Sequence, residues 1–220
     1  MKKSKINILF CFLFMLFSSN LNSKQKEKIT LNFDDYFYSD KIPERESLNH
    51  EIDDLPNEFL AFIPINYSVL DTASGDLNQD KIIDYILVLK KDGEDTLSDV
   101  LNNPEKRPLL ILLRDEYNKL NLVKRNDNTV YCIDCGGMMG DPYMGIEIKN
   151  GYFSVEHYGG SGWRWRRIIT YKFSKQKNEW FLHKDVSEDF HATDPEKIEY
   201  QKKSKKDFGI VKFEEFDIYN

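Results

Sequence analysis

The sequence predicts a mainly β fold, an antiparallel meander sheet or sandwich with short helices rather than a complete propeller. Three observations carry that expectation. Aromatic residues are abundant, with 12 Tyr and 15 Phe among 220 residues, and these types suit strands. Apolar runs of strand length, such as 85–89 and 108–114, end in polar turn segments instead of continuing at helical period. The runs also follow one another through short connections, so nothing calls for the long helical crossovers of a parallel sheet.

The elements follow in order. Met1, Lys2, Lys3, Ser4 and Lys5 form a basic start, and residues 6–17 are apolar. That apolar stretch is shorter than the ~20 residues a membrane span requires. Ser18, Ser19 and Ser23 follow it. The pattern predicts a secretory signal peptide over 1–23, with an uncleaved anchor as the alternative. It implies a periplasmic or secreted protein with no stable membrane insertion after cleavage. Residues 24–60 read as a polar leader, with a short helix expected between Pro56 and Pro64. Residues 61–185 read as the β-rich core, and 186–220 as a charged tail in which 210–216 offers an edge strand or stays loose. Within the core, strands are expected over 85–89, 108–114, 120–124, 128–132, 146–149, 152–158, 163–173 and 179–183. Asn150-Gly151 is the strongest hairpin signal.

The formal charge is −6, and removing residues 1–23 takes away three lysines and moves it to −9. An acidic chain of this kind excludes nucleic acid as the natural partner. Of three cysteines, Cys132 and Cys135 lie in the core as Cys-Ile-Asp-Cys. In an oxidising compartment this spacing predicts a local disulfide. A redox pair would need a thioredoxin-like unit around it, and a zinc site would need two further ligands.

The stretch "GDLNQDKIIDYILVL" over 75–89 carries the densest chemistry. Asp76, Asn78, Asp80 and Asp84 set side-chain oxygens at positions 1, 3, 5 and 9 of a loop, and the Ile82 carbonyl adds a backbone oxygen at position 7. Hard cations such as calcium are held by this kind of alternation. Gly75 offers freedom at the entrance. Lys81 stands where a glycine usually makes the sharp turn, and Leu87 stands where an EF-hand places its bidentate Glu, which excludes an EF-hand. A hydrogen-bonded acidic turn is the competing account.

The same oxygen pattern running into an apolar strand resembles the calcium loops of FG-GAP/VCBS-type repeats. The resemblance covers about residues 74–90 and departs from the pattern at Lys81. It implies a structural calcium ion bracing an extracellular β module. A propeller would require at least four blades, and only one such loop is present. With the signal pattern, "CGGMMGDPYMG" and "HYGGSGWRW", the layout also resembles small bacterial envelope proteins, which implies a compartment and no activity.

In "VEHYGGSGWRWRRIITYKF" (155–173), strand alternation puts Trp163, Trp165, Arg167, Ile169, Tyr171 and Phe173 on one face. Arg164, Arg166, Ile168, Thr170 and Lys172 fall on the other. One reading buries the first face and wets the second. The other makes Trp163, Arg164, Trp165 and Arg166 a contact surface for a protein or glycan partner. No nucleophile elbow, zinc-protease helix or phosphate loop occurs. Glu156 and His157 are neighbours and should point to opposite faces. The expected role is therefore a non-catalytic binding or structural module of the envelope. A hydrolase of an envelope polymer, or an inhibitor or immunity-type protein, remains as the alternative.

Overall fold

Two of the apolar runs are hydrophobic at every position rather than every second one, and their place in the fold explains this. The computed structural model describes residues 55–220; the predicted signal peptide and the leader up to residue 54 lie outside the described residues. β1 (Tyr67–Gly75), β2 (Asp84–Lys91), β3 (Leu109–Arg114) and β4 (Leu120–Asn126) form an antiparallel sheet in sequence order. β5 (Tyr143–Lys149), β6 (Tyr152–Gly160), β7 (Trp163–Ser174), β8 (Glu179–His191) and β9 (Asp194–Ser204) form a second one, also in order. Short helices α1 (Glu94–Leu97) and α2 (Lys205–Phe208) decorate them.

β2 and β3 are covered on both faces. Ile86, Val88, Leu109 and Ile111 meet Phe153, Val155, Ile169 and Tyr171 of the second sheet in the core between the sheets. On the opposite face, Leu87, Leu89, Leu110 and Leu112 lie under Phe59, which belongs to a 3-10 turn over Asn57–Phe62. Strands buried on two sides read as continuous apolar runs. The expected short helix between Pro56 and Pro64 is this 3-10 turn, and it belongs to the core although the leader was expected to run to residue 60.

The sheets approach each other where β1 runs beside β5. Tyr143 Oη donates to Asp71 Oδ2 at 2.8 Å. A Cβ on Gly75 would stand 2.6 Å from Ile148 Cγ2. Gly75 is thus required for space, not for the backbone freedom expected of it.

Two stretches differ from the sequence reading. Residues 128–132 are not a strand; the Asn128 carbonyl accepts from the Ile218 N–H at 2.8 Å in place of a ladder. The segment expected as a charged tail is largely built into the fold. β8 continues to His191, and Phe213, Phe216 and Ile218 are buried in the core between the sheets. The Asn126 side-chain amide donates to the carbonyls of Phe213 and Phe216. Over 210–216 there is a single bridge, Phe181 with Lys212, and a 3-10 turn over Phe213–Glu215 instead of an edge strand. The surrounding charges concealed three well-spaced apolar anchors.

β7 keeps its alternation. Ile169, Tyr171 and Phe173 face the core, and the irregularity opposite Thr170 and Tyr171 is taken up by β8, where His183 is skipped in the register. β9 is exposed along nearly its whole length at the sheet edge.

Replacing Phe213 by Ala should cost about 3–5 kcal/mol in denaturant unfolding, the range for a fully buried aromatic. Ile210→Ala, at a position 58% exposed, should stay within about 0.5 kcal/mol. Equal losses would mean that the C-terminal segment is not anchored through Phe213.

Candidate functional site

The acidic stretch is the connection between β1 and β2, and it closes on itself. Asp76 Oδ1 accepts from the Asp80 N–H at 3.0 Å and Asp76 Oδ2 from the Lys81 N–H at 3.0 Å. Asn78 Oδ1 accepts from the Asp80 N–H at 3.0 Å, and Asp80 Oδ1 from the Ile82 N–H at 2.7 Å. Such side-chain-to-backbone bonds are what Asp and Asn provide in turns. Gln79 and Lys81 take positive φ, 62° and 76°, so Lys81 does adopt the left-handed angle that its place in the loop demanded.

Asp84 is fully buried. Its Oδ2 accepts from Leu77 N–H at 2.9 Å and its Oδ1 from Arg114 N–H at 3.0 Å. Carboxylate oxygens of Asp76, Asp80 and Asp84 lie within 4.8 Å of one another. Burial pushes the Asp84 carboxyl up to about 6 against those two hydrogen bonds, and the charges of Asp80 and Asp76 push the same way. Asn78 donates its amide to Asp80 Oδ2 at 2.7 Å.

The loop is also docked onto the second sheet. Leu77 is fully buried in the core between the sheets. The Asp76 carbonyl accepts from Gly151 N–H at 3.1 Å, and Gln79 Nε2 donates to the Asn150 carbonyl at 2.9 Å. Lys175 Nζ reaches the Gln79 carbonyl at 2.9 Å. The loop therefore holds the β5–β6 and β7–β8 turns against the first sheet.

At the far end of the sheets stands a charge cluster that the sequence reading missed. Arg107 is fully buried and pairs bidentately with two acids: Glu94 at 3.0 and 2.6 Å, and Asp141 at 2.7 and 2.8 Å. Burial opposes its charge, but the hydrogen bonds to Asp141 and Glu94 hold its pKa above the ordinary value. The residues lie in what reads as a solvated polar excursion (91–107) and a glycine-rich loop. The one available signal was Arg107 immediately ahead of an all-apolar strand. Cys132 and Cys135 sit beside this cluster with their sulfurs at disulfide distance and Cα atoms 5.1 Å apart. Between them, Asp134 accepts from Ser98 Oγ at 2.6 Å and from Val100 N–H at 2.7 Å.

His157 is fully buried nearby. Its Nε2 accepts from Tyr131 N–H at 3.3 Å, so the proton sits on Nδ1, which has no hydrogen-bond partner among the described residues. Burial pushes the imidazole down to about 3, and the charges of Arg167 and Arg107 add to the effect. A group that stays neutral and sealed from solvent is unsuited to exchanging protons with a bound substrate. Glu156, on the opposite face as alternation requires, is spent on Arg166 at 2.6 Å.

The four residues expected as a contact surface divide. Trp163 is 62% exposed at the β6–β7 turn, with its ring edge-on to His191 at 5.2 Å. Trp165 is half-buried, packed edge-on against Tyr131 at 5.6 Å. A Cβ on Gly159 would stand 2.5 Å from Trp165 Cζ2 and 2.9 Å from Gly136 Cα, so glycine is the only residue that fits between the ring and the loop. Arg166 is buried and bound to Glu156, with Glu188 3.7 Å away. Arg164 is half-buried and touches Met139. The outer face of β7 is therefore not simply basic and wet, because β6 and β8 each set an acid beside Arg166. Arg166 and Trp165 belong to the scaffold, and Trp163 is the exposed member.

The chain matches no protein-family model, and comparison with curated proteins and with solved structures finds none similar to it.

His157 gives a pH dependence of definite sign. The unfolded chain takes up a proton below about 6.5 and the folded chain does not until about 3, so this residue removes stability as pH falls through that window. Between pH 7 and pH 5 the loss should be about 2 kcal/mol greater in the wild type than in His157→Gln, measured by urea unfolding. Parallel pH curves would refute it. In the same assay Trp165→Ala should cost about 2 kcal/mol or more, and Trp163→Ala less than about 1 kcal/mol.

Proposed function

We propose that the chain is a non-catalytic binding or structural module of the cell envelope or exterior. In this reading the sandwich is braced by a calcium-type ion at the acidic loop and meets a protein or glycan partner through its Trp163 tip. The observation that carries it is the exposed Trp163 ring. Met138 is 88% exposed and Met139 37% exposed, and Met139 touches Arg164 beside the tryptophan. Large apolar side chains gathered outside the core, mounted on a rigid hairpin, are typical of recognition surfaces. Tryptophan suits either partner class, since its ring stacks on sugars and fills protein pockets. The signal-peptide pattern supports the extracytoplasmic compartment.

The ion is supported by the convergence of three carboxylates, Asp76, Asp80 and Asp84, with Asn78 bonded to Asp80 beside them. The Ile82 carbonyl would complete the set. Three acids held this close repel one another unless a cation neutralises them. Such an ion would be structural, because the loop joins the two sheets and no reacting group stands beside it among the described residues.

Two experiments test the two halves separately. Free calcium at ~10 times its Kd should raise the melting temperature by about 3–5 °C, and Asp80→Ala should abolish the rise while leaving the calcium-free midpoint near that of the wild type. No rise in the wild type removes the ion from the reading. For the surface, envelope fractions are passed over immobilised wild type and over Trp163→Ala of matched stability. Retention of a protein or glycan by the wild type alone is expected; equal retention by both rejects the Trp163 tip as the contact.

A further inference from the structure

The chain carries an excess of acidic residues, −6 overall, yet one cleft is lined by cations. It is a cavity of about 300 Å³ between the β7–β8 turn and the segment that carries α2, a volume at the small end of the range for ligand pockets. Half-buried Phe181 gives it an apolar floor, Phe173 and Leu182 border it with their side chains turned to the core, and Lys172, Lys177 and Lys205 stand around it. Ile210, 58% exposed, closes one side. No Asp or Glu is among the described lining residues.

The acids nearest in sequence are committed elsewhere. Glu179 holds Lys124 at 2.8 Å, and Asp207 caps α2 by accepting from Ser204 N–H at 2.8 Å. Lys172 Nζ stands 5.0 Å from the centre of the Tyr152 ring and Lys177 Nζ 5.3 Å from that of Phe181, so both ammonium groups sit over aromatic faces at the rim of the cleft. None of the three lysines forms a salt bridge among the described residues. Half-buried Lys124, by contrast, holds two acids, Glu179 and Glu214.

An inorganic anion would satisfy the lysines and leave the aromatic floor wet. A neutral apolar molecule would cover the floor and gain nothing from the three ammonium groups around it. We propose that this cleft binds an amphiphilic carboxylate, a single-chain molecule whose apolar body lies on Phe181 and Ile210 and whose head group meets Lys172, Lys177 and Lys205. No residue of the acidic loop or of the Trp163 tip lines the site, and it does not depend on the function proposed above.

Decanoate, kept below micelle formation, is titrated into the whole chain by calorimetry, with decanol as the uncharged counterpart. One saturable site per chain is expected, with decanol about tenfold or more weaker. The variant Lys172→Gln/Lys177→Gln/Lys205→Gln should bind decanoate about tenfold more weakly. The charge-matched variant Lys202→Gln/Lys203→Gln/Lys206→Gln should bind it as the wild type does. All six lysines are exposed, so both variants should keep the wild-type melting temperature. The proposal is overturned by the absence of saturable binding, by equal affinity for decanol, or by equal losses in the two lysine variants. Capture by anionic phospholipid vesicles without decanoate binding would also overturn it, assigning the lysines to a membrane surface.

Discussion

Everything in this fold is arranged around two strands that have to be dry on both sides. Ile86 to Leu89 of β2 and Leu109 to Leu112 of β3 are buried without a break, and a single sheet face can hide only half of such strands. The second sheet covers one side and the segment around Phe59 covers the other. Burial of this area supplies the main stabilising free energy. It also dictates where charge is allowed, namely at the strand ends, where the chain leaves the dry region. Asp84 opens β2 and Arg107 precedes β3, and both are fully buried. Each is tolerated because its hydrogen-bonding capacity is met, Asp84 by two backbone N–H groups and Arg107 by two carboxylates.

These two charges mark opposite ends of the sandwich, and the ends do different things. At one end the acidic loop gathers the first sheet, the Asn150-Gly151 turn and Lys175 into one hydrogen-bonded corner. At the other, Arg107, the cysteine loop and the β6–β7 turn form a corner that is ionic inside and apolar outside, with Trp163 and Met138 facing water. Buried ion clusters add little net stability compared with an apolar filling, but they are costly to break once formed. Arg107 therefore fixes the geometry of three segments that have no strand pairing to hold them.

Legibility in the sequence followed the same division. The antiparallel meander could be read because strand period and turn chemistry are local signals, as at Asn150-Gly151 and along 163–173. The alternation on β7 set the core face correctly, because Ile169, Tyr171 and Phe173 obey it without interruption. Long-range pairings left no local trace. Nothing near Arg107 announces Glu94 and Asp141, which come from segments 13 and 34 residues away. Arg166 looked solvated because its acids belong to neighbouring strands. Phe213, Phe216 and Ile218 were hidden for the opposite reason, since local charge density outweighed three apolar residues that only the assembled sandwich can bury. At the acidic loop the oxygen spacing was legible, but the docking of Leu77 into the core and of Gln79 onto the next hairpin was not.

The cysteine pair has a consequence for how this protein loses structure. A bridge across a sequence separation of 3 closes a very small ring. The chain-entropy relation gives such a ring roughly 2 kcal/mol, against about 3 kcal/mol for a 15-residue ring. The bond therefore restrains little of the unfolded chain, and its mechanical reach ends within a few residues. It tethers the root of the Gly-Gly-Met-Met segment, in which Gly136 is buried and Gly137, Met138 and Met139 are exposed. In a reducing medium the sheets would persist while that corner loosened, so oxidation state and global folding are largely uncoupled here.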